Sequence, residues 1–282
     1  MDKKPDSFPP QSQSQPGKES LMEPLPEIIR DDYKGSEKLL NYSALITGGD
    51  SGIGRSAAVH FAREGADVTI VYLEEDEDAN KTKELVEREG RTCLLLKGDV
   101  KDEKFCRKAV VKTLEKFNRL DILVNNAAIQ FAQSKVEDVS PDQFQLTFET
   151  NILPFFYFSQ EAVKYMKAGN TIINTTSVNA FTGNDHLLDY SSTKGAIMSF
   201  TFSLAKQLAP KGIRVNMIAP GPIWTPLIPA TMDVEDFGQQ ALLGRAGQPS
   251  EVGPAYVFLA SKDSSYMIGQ TIHINGGQFI GT

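Results

Sequence analysis

The sequence predicts an α/β protein with a single doubly wound parallel sheet of the Rossmann type and helices on both faces. From Tyr42 onward, short runs of β-branched apolar residues alternate with longer segments whose apolar residues have helical spacing. A glycine-rich turn, TGGDSGIG at residues 47–54, directly follows the first run. Strand–helix alternation implies right-handed crossovers and therefore a parallel sheet covered on both faces.

Seven strands are predicted between the turns and the helical segments. They lie at residues 43–47, 67–73, 92–97, 121–124, 171–174, 214–218 and 271–274. Helical spacing is clear after the first strand, at Val59, Phe61 and Ala62, and again after the third strand. Doubly wound sheets bind ligands beyond the carboxyl ends of their strands, so polar and glycine-rich motifs at those ends are candidate site residues.

Residues 1–42 have a different composition from the rest and form a predicted N-terminal arm, whereas residues 43–282 form the Rossmann-type domain. The arm is rich in Gln and Ser and is interrupted by six prolines. Such a segment buries too little apolar surface to offset its ordering entropy, so alone it is expected to be extended or disordered. Its apolar residues at 21–29 are expected to dock on the folded body, either of the same subunit or of a neighbour.

Composition excludes several classes of partner. The net charge of −7 argues against nucleic acid and anionic membranes, both of which favour basic patches. No apolar run approaches the roughly 20 residues of a membrane span, and the N-terminus lacks the apolar core of a signal peptide. Cys93 and Cys106 are too few for a disulfide framework and lack metal-ligand spacing. We therefore expect a cytoplasmic protein with reduced thiols and no metal site.

The glycine-rich turn has the chemistry of a pyrophosphate site. Glycines at 48, 52 and 54 allow a tight turn and let the backbone approach a phosphate at the N-terminus of the following helix. Their order differs from G-x-G-x-x-G, and no Gly-Lys-Ser/Thr follows, so the turn is not a P-loop. A purely structural loop remains the alternative when the turn is taken alone.

The turn resembles the TGxxxGxG motif of the short-chain dehydrogenase/reductase superfamily, and further motifs of that family follow in order. Asp99-Val100 follows the third strand, residues 125–128 read NNAA where the family has NNAG, and residues 220–223 read PGPI. The resemblance covers residues 43–282. The N-terminal extension and the YLEEDEDA segment are similar to a bacterial subgroup described as glucose/ribitol-dehydrogenase-like or general-stress oxidoreductases. By resemblance, the cofactor-binding residues are Gly48, Asp50, Ser51, Gly52, Ile53, Gly54, Tyr72, Asp99, Val100, Asn126, Ala127, Tyr190, Lys194, Pro220, Gly221 and Ile223.

Four residues match the catalytic positions of that family: Asn151, Ser177, Tyr190 and Lys194. Tyr190 and Lys194 are four residues apart and so share one face of a helix. A nearby ammonium favours the phenolate, which is expected to lower the pKa of Tyr190 from its ordinary value of about 10. An ordinary surface Tyr–Lys pair is the alternative for these two residues taken alone. The resemblance implies that Tyr190 is the general acid or base, Ser177 holds the substrate oxygen, Lys194 binds the nicotinamide ribose, and Asn151 supports a proton path through water.

The implied activity is hydride transfer between a nicotinamide cofactor and the CH–OH or C=O group of a small alcohol, polyol, sugar or ketone. Two alternatives are a nucleotide-sensing regulatory protein without turnover, and an epimerase or dehydratase that uses its cofactor internally. NAD is expected to be preferred and NADP remains possible. Tyr72 stands where NAD-preferring relatives carry an acidic residue, and the acidic residues 74–76 would repel a 2′-phosphate, whereas Arg55 is the nearby cation that would favour NADP.

The resemblance also implies a homotetramer assembled through the helices after the fourth and fifth strands and through the C-terminal strand. In the helix around residues 187–208, apolar side chains cover more than one face, as they do in a helix buried on two sides. These apolar positions include Ile197, Phe200, Phe202 and Leu204. Trp224 and Leu227 fall where the family has its mobile substrate-covering loop, so they are either substrate contacts or packing residues.

Overall fold

The computed structural model describes residues 4–281 and contains one seven-stranded sheet in which every pairing is parallel. The strands are β1 (Ser43–Thr47), β2 (Asp67–Tyr72), β3 (Cys93–Lys97), β4 (Ile122–Asn125), β5 (Thr171–Thr175), β6 (Arg214–Pro220) and β7 (Thr271–Ile274). Their order in the sheet is β3-β2-β1-β4-β5-β6-β7. The predicted fold class is confirmed, and the strand order reverses direction between β1 and β4, where doubly wound sheets open a crevice for ligands.

Eight helices cover the two faces of the sheet within the described chain. They are α1 (Gly52–Arg63), α2 (Asp76–Arg88), α3 (Glu103–Phe117), α4 (Pro141–Asn151), α5 (Leu153–Ala162), α6 (Asn179–Thr182), α7 (Leu188–Leu208) and α8 (Pro249–Ala260). Helices α1 and α8 belong to one apolar core, and α3, α5 and α7 to the other. Between residues 4 and 281, no helix combines the length and apolar character that crossing a membrane requires.

The sheet is buried on both sides because its strands are apolar at successive positions. In β1 all five residues are buried, with Ile46 in the core under α1 and α8 and Leu45 in the core under α3 and α5. This continuous apolar pattern is typical of parallel strands. The predicted strands agree with the observed ones to within two residues. The largest difference is in β6, which continues to Pro220 because its ladder with β7 pairs Pro220 with Ile274.

The arm packs along the body of its own chain. Its backbone donates a hydrogen bond from Gln13 N to Pro229 O (2.8 Å), and Glu27 O accepts one from Ser250 N (2.8 Å). The expected docking residues are only partly the ones used. Leu21 and Leu25 are 66% and 65% exposed, and of the predicted cluster's large side chains only Met22 is deeply buried. The arm is therefore held mainly by polar contacts and a few buried side chains.

A small third core joins the arm to the loop after β6, which we call the covering loop (residues 221–248). Phe8 stacks on Trp224, with ring centroids 3.8 Å apart and ring planes within 9°. Trp224 is fully buried and its indole Nε1 donates to Pro24 O at 2.8 Å. Met22 and residues of the covering loop complete this cluster. The covering loop is thus clamped by two separate points of the arm.

This clamp predicts the effect of Phe8→Ala. Replacing a buried Phe by Ala typically costs about 3–5 kcal/mol, which is more than a peripheral arm segment is expected to withstand. We expect the arm before Met22 to detach, so the fluorescence of Trp224, the single tryptophan, shifts to longer wavelength and the arm becomes sensitive to protease. Leu21→Ala, at an exposed arm position, is the matched control and should change neither signal. Unchanged fluorescence in Phe8→Ala would show that the stack does not hold the arm.

Candidate active site

A cavity of about 590 Å³ lies at the carboxyl ends of the strands, across the point where the strand order reverses. Tyr72, at the end of β2, lines one end of it, and Ser177 and Tyr190 line the other. Its volume is in the range of small-molecule and cofactor pockets. The fold therefore brings residues from both halves of the sheet to one elongated site.

The residues that the sequence assigned to cofactor binding lie along this cavity, with one exception. Its wall includes Gly48, Asp50, Ser51, Gly52, Ile53, Tyr72, Asp99, Val100, Asn126, Ala127, Tyr190, Lys194, Pro220, Gly221 and Ile223. Gly54 does not line the cavity; it lies behind the turn, where a Cβ atom would sit 1.9 Å from the carbonyl oxygen of Gly48. Gly54 thus allows the turn to form and is not a wall residue.

The turn has the shape that a dinucleotide pyrophosphate requires. Gly48 and Gly52 have φ values of +63° and +50°, a region that side-chain-bearing residues rarely adopt. The Asn126 side-chain amide donates to Gly48 O at 3.2 Å and fixes the turn to the end of β4. α1 begins at Gly52, so its positive N-terminal end faces the cavity wall. These residues fit a nicotinamide dinucleotide.

Beneath the turn lies a buried ion cluster of Glu19, Arg55 and Asp78, which we call the turn cluster. The Arg55 guanidinium pairs with both carboxylates and also donates to Asp50 O at 2.9 and 2.6 Å. The place of Arg55 after the turn had implied a cation open to the cavity. Arg55 is instead 4% exposed, so it is closed to the cavity. Burial raises the pKa of Glu19 to about 7, against the opposing effect of Arg55.

At the other end, Tyr190, Ser177 and Lys194 converge. Lys194 is 1% exposed; its Nζ donates to Thr175 O at 3.1 Å and lies 5.2 Å from the centre of the Tyr190 ring. Ser177 follows β5, and its hydroxyl accepts from Asn179 N at 3.2 Å. The two helical residues come from the first turns of α7, four residues apart on one face. The tyrosine and lysine are therefore part of a buried site and not an ordinary surface pair.

The expected depression of the tyrosine pKa is wrong for this structure. Burial raises the pKa of Tyr190 to about 12, and the interaction with Ser177 opposes this only in part. Burial also lowers the pKa of Lys194 to about 7. Desolvation disfavours the charged form of both groups, the phenolate of Tyr190 and the ammonium of Lys194.

Asn151 lies at the end of α4, apart from the cavity wall. Its side chain exchanges two hydrogen bonds with the backbone of Ile129, donating to Ile129 O and accepting from Ile129 N, both at 2.8 Å. It also donates to Thr193 Oγ1 at 3.2 Å. Asn151 thus fixes the segment after β4 to helix α7, which carries Tyr190 and Lys194.

Sequence reasoning missed the contribution of the arm. Gln15, Pro16 and Gly17 line the cavity, and a Cβ atom on Gly17 would lie 2.2 Å from Pro226 O, so only glycine fits there. No local signal marks these residues, because their role comes from a long-range contact. Of the two covering-loop candidates, Leu227 lines the cavity, whereas Trp224 is a packing residue.

Comparison with known proteins identifies relatives of this chain. A family model described as enoyl-(acyl carrier protein) reductase matches residues 48–278. The chain is 55% identical to the uncharacterized oxidoreductase YhdF of Bacillus subtilis, over 100% of this chain and 99% of that protein. It is 50% identical to the glucose and ribitol dehydrogenase of Daucus carota, over 97% of each chain.

A solved structure shares the fold as well. The short chain dehydrogenase from Burkholderia cenocepacia J2315, crystallised in complex with NADP, has 31% sequence identity and a TM-score of 0.80. The match covers 86% of this chain and 99% of that one. With motifs, fold and relatives in agreement, the chain belongs to the short-chain dehydrogenase/reductase family and is an oxidoreductase.

Proposed function

We propose that the protein transfers hydride between NAD and the CH–OH or C=O group of a small alcohol, polyol, sugar or ketone, with Tyr190 as general acid or base. The observation that carries this proposal is that Tyr190, Ser177 and Lys194 share one end of a cavity whose wall also contains the glycine turn. When bound, the nicotinamide supplies or accepts the hydride.

Four side chains transfer the proton, position the substrate and bind the cofactor. Tyr190 gives its phenolic proton to the carbonyl oxygen in reduction and takes it from the hydroxyl in oxidation. Ser177 donates a hydrogen bond to the same oxygen and holds it beside Tyr190. Lys194 binds the ribose hydroxyls and, when charged, favours the phenolate. Asn151 keeps α7 in register with the segment after β4 and supports proton exchange with solvent through a water.

The amide-bearing residues of the cavity wall support a polyhydroxylated substrate. Seven of them line this cavity: Gln15, Asn126, Gln130, Asn179, Asn184, Gln240 and Gln278. An amide both donates and accepts hydrogen bonds, as a hydroxyl does, so a set of amides suits a polyol or sugar. The Daucus carota relative is named for glucose and ribitol. We therefore favour a polyol or sugar over a simple ketone.

Charge at the adenosine end supports NAD over NADP. Asp50 and Glu75 line the cavity there, beside Tyr72. The hydroxyl of Tyr72 donates to Asp76 at 2.9 Å, and Arg55 is already paired in the turn cluster. A 2′-phosphate would meet these carboxylates, and Lys97, a cation near Tyr72, is paired with Asp76 at 2.7 Å, although the Burkholderia cenocepacia neighbour was crystallised with NADP. A dissociation constant lower for NADP than for NAD would contradict this preference.

A regulatory protein without turnover, the alternative to an enzyme, would still use Lys194 to bind the cofactor, but it would not need a tyrosine hydroxyl beside Ser177. Lys194 is desolvated, which costs free energy of folding, and a role in turnover accounts for a lysine at this position. Neither α7 packing nor cofactor capture alone requires a tyrosine hydroxyl beside Ser177. The catalytic assignment explains both residues, so we favour turnover.

For assembly we propose a cytoplasmic homotetramer. Large apolar side chains on α4, α5 and α7 are left 37–45% exposed: Phe144, Leu153, Phe156, Leu188 and Phe202. Such residues favour a protein–protein interface.

Cys93 and Cys106 are both buried free thiols, in keeping with a reducing compartment. Light scattering of the full chain should give the mass of four chains, and a monomer would contradict the assembly.

The proposed role of Tyr190 is tested by Tyr190→Phe, which removes only the phenolic hydroxyl. Because that hydroxyl carries the proton, turnover should fall by several orders of magnitude while NAD still binds. Activity assays and calorimetric titration of the same sample measure the two effects. The control Tyr266→Phe, at a fully exposed position, should leave both unchanged. Turnover within tenfold of the unaltered enzyme would remove Tyr190 from its assigned role.

The pKa of Lys194 gives a further prediction. In the folded protein this pKa is about 7, against 10.5 for an ordinary lysine, so below pH 7 the fold holds a desolvated charge. Lys194→Met removes that charge and should stabilise the fold by roughly 2 kcal/mol at pH 6. Between pH 7 and 10.5 the folded lysine is neutral while the unfolded one still binds a proton, so the stability of the unaltered protein rises with pH and the gain fades.

Denaturant unfolding of the cofactor-free protein at pH 6 and pH 9.5 measures this difference, and activity should be lost. Lys167→Met, at an exposed position, should be neutral at both pH values. A Lys194→Met variant that is less stable than the unaltered protein at pH 6 would show that the ammonium is stabilised in its site.

A further inference from the structure

We propose that Glu19, contributed by the arm, is a specificity-determining residue that weakens binding of NADP relative to NAD. The inference rests on the proposed function, since it concerns the same cofactor cavity. It assigns a role to a residue outside the glycine turn and the sheet, in a segment that composition alone marked as extended or disordered.

Each nitrogen of the Arg55 guanidinium has a partner. Its Nε and Nη2 both donate to Asp50 O, and Nε also donates to Thr82 Oγ1 at 2.9 Å. Nη2 reaches Asp78 Oδ1 at 3.2 Å, and Nη1 pairs with Glu19. Removing Glu19 would leave Nη1 without its carboxylate while Arg55 stays fixed under the turn.

Glu19 also contacts the turn itself. Glu19 is 3% exposed, and its second carboxylate oxygen accepts from Gly52 N at 2.7 Å, at the first residue of α1. Its own backbone N–H donates to Asp78 Oδ2 at 2.7 Å, which locks the arm to α2. The arm therefore places a carboxylate at the same helix N-terminus that favours phosphate.

Negative charge exceeds positive charge around the glycine turn. Asp50 and Glu75 line the cavity, while Asp78 and Glu19 lie behind the turn, and these carboxylates interact electrostatically with one another. Arg55 opposes them with one positive charge. The negative field of this group acts most strongly on the ligand with the most negative charge, and NADP carries a phosphate that NAD lacks.

The proposal concerns the charge of the Glu19 side chain and not its shape. Substitutions in this chain can separate the two. Glu19→Gln keeps the size of the side chain and removes its charge, whereas Glu19→Asp keeps the charge and shortens the side chain. Glu23→Gln removes an exposed carboxylate from the same arm, four residues away. Asp78→Asn removes a carboxylate from the turn cluster and keeps a side-chain oxygen that can accept from Glu19 N.

The experiment is calorimetric titration of the full-length proteins with NAD and with NADP at pH 8, where Glu19, with its pKa of about 7, is ionised. Glu19→Gln should shift the ratio of the two dissociation constants about tenfold in favour of NADP. Glu19→Asp and Glu23→Gln should leave the ratio within twofold of the unaltered protein. Melting temperatures of all variants identify any loss of folding.

The outcomes separate this inference from the proposed function. If the unaltered protein binds neither cofactor, the proposed function fails. If both bind and Glu19→Gln leaves the ratio unchanged, or tightens NAD and NADP equally, Glu19 is not a specificity residue. Should Glu19→Gln fail to fold, Asp78→Asn must shift the ratio toward NADP, and an unchanged ratio there would overturn the proposal.

Discussion

The close approach of the backbone at Gly48 and Gly54 is the constraint on which the site depends. It lets α1 begin immediately after β1, so the helix N-terminus reaches the cavity at the reversal of the strand order. A side chain at either glycine would push the turn away from the strand ends. Arg55 follows directly, and its hydrogen bonds to Asp50 O fix the turn from behind.

The N-terminal arm contacts the turn and two other parts of the molecule. It reaches the turn through Glu19, the cavity wall through Gly17 and the covering loop through Phe8. These contacts share one short segment, so the arm connects the glycine turn, the cavity wall and the covering loop.

Sequence reasoning predicted the sheet because continuous apolar strands and intervening helices leave a strong periodic pattern, and it predicted the cavity wall because the motifs stand at strand ends. It failed where the deciding contacts are distant in sequence. Trp224 is a packing residue because Phe8 stacks on it, and Arg55 is closed to the cavity because Glu19 pairs with it. The pKa of Tyr190 rises, against expectation, because the side chain is desolvated. Helical spacing reveals the neighbouring lysine, but it does not reveal that both groups are desolvated.

The central claim is that the arm and the cofactor cavity form one structural unit. Hydrogen exchange of the backbone amides, followed with and without saturating NAD, tests it most directly. The account predicts that the amides of Gln13 and Glu19, which are hydrogen-bonded to the body, are protected in the free protein and become more protected with NAD, together with Gly52. Arm amides that exchange at unprotected rates, or that do not respond while the turn does, would contradict it.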